Sequence, residues 1–299
     1  MRPRGARWLA WLPLIALAGC AELQRRDPEL AEILARREER IERALALPDS
    51  VVTDAPVLRW ILPDALREIS GMVLTADDRL FVHGDEQAMV HEIDYRRGVI
   101  LKRFSLGSPP VRGDFEAIAI VRDTMLMLTS DGMLYRFTEG ADSAAVPYSR
   151  IDTGLGGRCE FEGMTFDPVA DALILACKNA LDDAGDDAML LYRWPMSTAT
   201  PAPMLLTVPL AAVIGTREWT AFQPSDITFD SRSGNYLIVA SRQKALAAIT
   251  PAGAVMLSRS LPPGHPQTEG VAITSDNLLL VSDEATLGPA VLTAYRWHP

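Results

Sequence analysis

Five short segments in phase constrain this chain more than any other feature of its sequence. Each carries a polar or acidic residue, any residue, Ser or Glu, a small or polar residue, and then alternating apolar positions. They are Glu68-Ile69-Ser70-Gly71-Met72, Asp114-Phe115-Glu116-Ala117-Ile118, Glu160-Phe161-Glu162-Gly163-Met164, Gln223-Pro224-Ser225-Asp226-Ile227 and Gln267-Thr268-Glu269-Gly270-Val271. Their third residues stand at 70, 116, 162, 225 and 269, giving intervals of 46, 46, 63 and 44 residues. Periods of this length mark an array of supersecondary units that stack to bury a common core.

Every segment is followed by a turn and a second apolar run, at 80–83, 125–129, 173–177, 236–240 and 278–281. A third run is visible at 90–94, 134–137, 190–194 and 291–297, and helical periodicity is almost absent. Roughly four strands in 45 to 50 residues is the anatomy of a propeller blade, and closing the ring protects the strand edges. An extra strand at 57–62 precedes the first repeat, while the last repeat has room for only three strands before Pro299. The early strand is therefore expected to complete the last blade and close the ring. The expected fold is all-β, a single β-propeller over residues 57–299, with five blades and room for a degenerate sixth inside the 63-residue interval.

These repeats resemble the SdiA-regulated, YjiK-like family of periplasmic propellers, distantly related to NHL-repeat proteins. The residues that carry the likeness are Phe161-Glu162-Gly163-Met164-Thr165-Phe166, Ser225-Asp226-Ile227-Thr228-Phe229 and Glu269-Gly270-Val271-Ala272-Ile273, each opening a blade. The resemblance implies a five-bladed propeller with a bound calcium ion, and no established biochemical activity. Asp226 stands where a glycine is more typical, so the turn in the fourth blade is expected to differ.

In a propeller the innermost strand of each blade begins on the face where the second strand ends, so the motif residues ring one mouth of the channel. Residues two apart on a strand share a side, which lets Glu160 point with Glu162, Asp114 with Glu116, and Glu68 with Ser70. Glu68, Glu116, Glu162 and Glu269 are thereby expected near one axis. Carboxylates gathered in a low-dielectric channel repel unless one is protonated or a cation sits between them. Calcium takes six to eight oxygens in flexible geometry, whereas zinc prefers His or Cys. The same cluster also reads as a hydrated acidic channel with no specific ion.

The second strands end at Asp85 with Glu86, at Asp131, Lys178 and Arg242, and at Asp283 with Glu284. Asp85, Asp131, Lys178, Arg242 and Asp283 form a mixed-sign rim able to orient a polar small-molecule or protein ligand, or else charged loop ends facing water. The loop Asp182-Asp183-Ala184-Gly185-Asp186-Asp187 lacks the spacing of a helix-loop-helix calcium site and reads as solvated. Cys159 and Cys177 flank the first hairpin of the third blade, where either a disulfide or two buried thiols fit.

No nucleophile elbow, zinc-protease motif or phosphate-binding glycine loop is present. Ser241-Arg242-Gln243-Lys244 matches a lactamase-type Ser-x-x-Lys by chance, at a strand end. The four histidines lack metal-ligand spacing. Two classes survive: a calcium-containing propeller that binds a ligand or partner, and a calcium-dependent hydrolase acting on an ester, lactone or phosphate. For the second, Glu68, His83 or Asp131 would be the base.

The N-terminus supplies the setting. Arg2, Arg4 and Arg7 precede an apolar run that stops at Leu17-Ala18-Gly19-Cys20, so residues 1–19 read as a secretory signal too short to span a membrane. The last four residues of that stretch resemble the lipobox of bacterial lipoproteins, whose cysteine is acylated and becomes the first residue of the mature chain. Ala21 and Glu22 follow Cys20 in place of Asp, which in enteric-type bacteria favours the outer membrane, facing the periplasm. Residues 20–56 then form a lipidated start, a helix over 27–48 and a linker, with Leu30, Ile33, Leu34, Ile41 and Leu45 on one helix face and Arg37 interrupting it. A free tether is the expected role for that helix, a short coiled coil or docking helix the other. Losing residues 1–19 removes three Arg and no acid, moving the formal charge from −10 to −13. So acidic a domain is a poor partner for nucleic acid, whose phosphates require Lys and Arg.

Overall fold

A computed structural model of the chain describes residues 28–48, 54–181, 187–197 and 202–298. The signal segment, Cys20 and most of the acidic loop lie outside the described residues. Helix α1 (Pro28–Leu45) comes first, then strand β1 (Leu58–Ile61), then five consecutive antiparallel sheets. The first blade is β2 (Ile69–Leu74), β3 (Leu80–Gly84), β4 (Met89–Asp94) and β5 (Val99–Leu106), and the second opens with β6 (Phe115–Val121), β7 (Thr124–Thr129) and β8 (Met133–Phe137). The short β9 (Ala145–Val146) pairs in parallel with β5, and β10 (Tyr148–Asp152) completes the second blade.

The third blade holds β11 (Cys159–Asp167), β12 (Ala172–Ala180), β13 (Ala188–Pro195) and β14 (Met204–Pro209), followed by a short helix α2 (Leu210–Ile214). The fourth is β15 (Asp226–Asp230), β16 (Asn235–Ala240), β17 (Ala245–Ile249) and β18 (Val255–Ser260). The fifth is β19 (Thr268–Ile273), β20 (Leu278–Asp283) and β21 (Val291–Arg296), and its outer strand is β1. Leu58 pairs with Ala294 and Trp60 with Leu292, so the start of the domain closes the ring as the count of strands requires.

The blades are buried on both faces, which is why their inner strands are nearly continuous apolar runs. On β12, Leu173, Leu175 and Cys177 pack toward the second blade while Ile174 and Ala176 pack toward the fourth. Five apolar clusters result, one at each blade interface. The long third interval holds no sixth blade among the described residues. It is taken up by nine-residue β11 and β12 strands and by α2 and its following loop, whose Val213 and Phe222 cover the interface with the fourth blade.

Helix α1 is docked, and this corrects the expectation of a free tether. Ile41 is fully buried among Leu58, Trp60 and Tyr95, and Leu45 packs on the same cluster. Arg96 donates to Glu38 at 2.7 Å, and Arg37, which breaks the apolar stripe, donates to the carbonyl of Arg97. The contact with this cluster comes from Ile41, Ala44 and Leu45 in the second half of the helix, and Ile33 is 44 % exposed.

Candidate functional site at the propeller mouth

The repeated motif builds the mouth through β-bulges. On β2, β6, β11 and β19 the ladder slips between the second and fourth motif residues, leaving Ser70, Glu116, Glu162 and Glu269 without a partner opposite. A bulge turns the extra residue out of the ladder and re-aims its side chain, as strands beside binding sites commonly do. Small residues follow because neighbouring inner strands nearly touch: a Cβ on Gly163 would lie 3.0 Å from the Asp226 Cα and from the Ile227 nitrogen.

The fourth blade departs from this pattern. Its pairing runs unbroken from Asp226, whose buried side chain accepts the N–H groups of Ile227 and, in the fifth blade, of Val271, each at 2.8 Å. Burial holds the Asp226 carboxyl well above the usual carboxylate range. The carboxyl that replaces the expected glycine therefore clips two blades together and does not line the mouth.

Glu68, Glu116, Glu162 and Glu269 line one cavity of 160 Å³ together with Ser70, Asp85, Lys178, Gln267 and Glu284. Lys178 donates to Glu162, Ser70 donates to Glu116 at 3.1 Å, and Gln267 donates to Glu284. Burial, with Glu162 and Asp114 adding repulsion, pushes the Glu116 carboxyl up to about 9. Burial and then Glu162 push Glu269 up to about 8. Burial raises Glu162 as well, against the opposing pull of Lys178. Burial disfavours the Lys178 ammonium too, yet Glu162, Glu269 and Glu116 outweigh it and hold its affinity for the proton above normal.

The alternation expected around the motif fails at the bulges. Glu160 turns away from Glu162 and accepts from Asn179 at 2.5 Å, and Asp114 accepts from Ser130 at 2.5 Å. Of the rim residues, Asp85 and Lys178 reach the cavity and the others do not. Asp131 accepts from Thr129 in its own turn, exposed Arg242 reaches Gln223 at 3.4 Å, and Asp283 is fully buried. Asp283 accepts from His265 Nδ1 at 2.6 Å, and His265 Nε2 lies 2.7 Å from the Tyr295 hydroxyl, a closed polar chain inside the fifth blade. Lys244, last of the Ser-x-x-Lys match, sits in a turn with φ of 47°.

Cys159 and Cys177 are joined by a disulfide with their Cα atoms 5.7 Å apart. Cys177 immediately precedes Lys178, so the bond braces the strand that carries the ammonium. The three base candidates do not converge. Glu68 lines the cavity and Asp131 is held outside it; His83 is fully buried, and burial drives its pKa down to about 4.

Oxygen-only donors are of the kind calcium takes. Their arrangement here is not a metal cage: among the described residues no three His, Cys, Asp or Glu side chains are grouped to hold an ion, and Glu162 is engaged by Lys178. Lys178, a rim residue by its place at a strand end, sits among the glutamates. The signal was its position one residue past Cys177, on the strand paired with the one carrying Glu162.

No protein-family model and no curated protein matches this chain. Solved structures do, as β-propellers. Glutaminyl cyclase of Myxococcus xanthus aligns with a TM-score of 0.54 at 12 % identity, over 81 % of this chain and 95 % of its own. A luciferin-regenerating enzyme aligns with a TM-score of 0.51 at 11 % identity, over 80 % and 95 %. Virginiamycin B lyase of Staphylococcus aureus gives a TM-score of 0.42 at 14 % identity, over 80 % and 73 %. At these identities the first two likenesses carry the β-propeller fold alone, and the count of five blades rests on the five sheets of this chain.

Proposed function

We propose that this protein is a lipid-anchored binding propeller of the bacterial envelope whose mouth receives a positively charged group. The observation that carries this reading is the imbalance of the cavity. Six carboxyl side chains line it against a single ammonium, that of Lys178. Without a further cation Glu116 and Glu269 are relieved only by protonation; with one, both can ionise. An ammonium needs no cage, and Lys178 itself exemplifies the contact. Calcium is the competing occupant that the oxygen donors favour, and it would have to gather Glu116 and Glu269 while Glu162 stays with Lys178.

Thermal unfolding in calcium chloride and, separately, in 1,5-diaminopentane tests this, each against sodium chloride of equal ionic strength. At least one is expected to raise the midpoint, and the E116Q/E269Q double variant is expected to lose the gain. If neither cation moves the midpoint beyond the sodium control, the cationic reading is wrong. A shift with calcium alone would make the occupant a metal.

The blade-opening runs support assignment to the SdiA-regulated, YjiK-like propellers, and the lipobox at Cys20 supports an anchor at the outer membrane, facing the periplasm. Stable attachment takes more than one acyl chain, each buried CH₂ contributing about 0.8 kcal/mol. Cys20→Ser should move the protein from the membrane to the soluble fraction and abolish palmitate labelling. Membrane retention of that variant would remove the anchor. The hydrolase reading draws no support from the mouth, because its candidate bases do not meet there.

A further inference from the structure

A second cavity of 280 Å³ lies against the first, and Glu68 and Asp85 line both. It runs along the first blade, over β4 and β5, and its character is different. His91 and Arg103 are direct cross-strand partners and both line it, as does Arg67. Among the described residues neither guanidinium has a carboxylate within ion-pair distance; the backbone N–H of Arg103 donates to Asp142 at 3.0 Å, and the nearest carboxylates feel the two charges at longer range. The site also holds polar atoms without partners. His91 is 4 % exposed and its Nδ1 makes no hydrogen bond; Oδ1 of Asp85, at the junction of the cavities, makes none either. Buried polar groups left unpaired are costly, so they point to something that completes them. Burial, and then the Arg103 charge, push the His91 imidazole down to about 4, so it meets a ligand as the neutral ring.

We infer that the two cavities form one elongated site for a zwitterion of the amino-acid or short-peptide class. The ligand's ammonium lies among Glu68, Asp85 and Glu116, and its carboxylate lies at Arg103 beside His91. Together the cavities fall in the range of small-molecule pockets, about 300–1,000 Å³. A guanidinium is the side chain best suited to a carboxylate, which it can hold through two parallel hydrogen bonds. A neutral His91 adds a donor or acceptor without adding charge. A simple diamine satisfies only the acidic end, and a dicarboxylate is repelled by it. This inference rests on the cationic reading of the mouth, and it adds the anionic end and its partners.

Di-, tri- and tetra-alanine, titrated calorimetrically into the mature full-length protein, provide the test, each in three forms. The free peptides carry both charges, the C-terminal amides keep only the ammonium, and the N-acetyl peptides keep only the carboxylate. At least one free peptide is expected to bind, at least tenfold tighter than either capped form of the same length. Arg103→Ala, at an exposed position, should reduce the free peptide to the affinity of its amide and leave the amide unchanged. Amides that bind as well as free peptides, with no effect of R103A, would overturn the zwitterion and leave the cationic mouth standing. N-acetyl peptides that bind as well as free peptides would overturn the cationic mouth itself. No binding at any length, while calcium or diaminopentane still stabilises the protein, would overturn this inference alone.

Discussion

Lys178 holds Glu162 across the first hairpin of the third blade, on the residue after the cysteine that is bonded to Cys159 at the start of that hairpin. One covalent link and one ionic link thus join the same two strands. The ionic one stands at the mouth, where six carboxyl groups and one ammonium share a cavity. Orientation of Lys178 therefore depends on a strand that is stapled as well as hydrogen-bonded.

The staple has a measurable weight. Cys159 and Cys177 are separated by 18 residues, and closing a loop of about that size in the unfolded chain is worth roughly 3 kcal/mol. The C159S/C177S variant should lose about that much in urea unfolding without reductant, and wild type in dithiothreitol should fall to the same midpoint. Identical midpoints with and without reductant would show that the bond adds nothing to stability.

The raised glutamates give the protein a pH signature. A carboxyl whose folded pKa exceeds its unfolded value makes the folded state bind more protons, so stability is greatest at low pH and declines as pH rises. For Glu116 and Glu269 the window opens near the ordinary glutamate value of 4.5 and closes at about 9 and about 8 respectively. Each can contribute a slope of at most about 1.4 kcal/mol per pH unit, reduced by solvent at the open mouth. Midpoints measured from pH 5 to 9 in chelator should fall, and E116Q/E269Q should flatten the decline. A bound cation should flatten it too, with release of protons visible in calorimetry across buffers of different ionisation enthalpy. An equally steep decline in the double variant would trace the slope to other groups.

The ring was legible in the chain because propeller repeats are periodic and local. Ser70, Glu116, Glu162 and Glu269 stand at one position of the motif, and one position of a motif maps to one place on the ring. Closure by β1 followed from counting strands. What alternation could not foresee was the bulge, since one extra residue inverts the side on which its neighbours fall. Glu160 and Asp114 were lost from the mouth for that reason. Lys178 was hard to place because the residue that neutralises Glu162 lies on another strand, and the His91–Arg103 pairing depends on β4–β5 register that no repeat encodes. Asp226 was visible as an exception, but its hydrogen bond to Val271 belongs to the contact between blades.

That contact between blades is also what the small motif residues serve. Gly163 has no room for a Cβ against the backbone of Asp226 and Ile227, and backbone cannot swing aside as a flexible side chain can. Gly163→Ala should therefore cost about 1–3 kcal/mol, the usual range for overpacking a tight core. Gly157→Ala, with open space around it, is the matched control and should change little. Equal unfolding midpoints for the two variants would mean that the third and fourth blades can separate at no cost.

Lys178 tests the electrostatic account of the mouth most directly. Lys178→Met keeps much of the side-chain stem and removes the charge, leaving Glu162, 6 % exposed, without its cation. Glu162 is already raised by burial against the pull of Lys178, so losing that pull moves it further up. By the same linkage, the variant should be nearly as stable as wild type at pH 5 and clearly less stable at pH 8, where Glu162 must either ionise unpaired or retain a proton. Removing the resident ammonium also removes its repulsion of an incoming cation, and two unit charges about 4 Å apart in protein surroundings repel by on the order of 4 kcal/mol. About a third of that already amounts to roughly tenfold in affinity, so K178M should bind calcium or diaminopentane more tightly than wild type. If its cation affinity is unchanged or weaker, Lys178 helps to hold the ligand and does not compete with it.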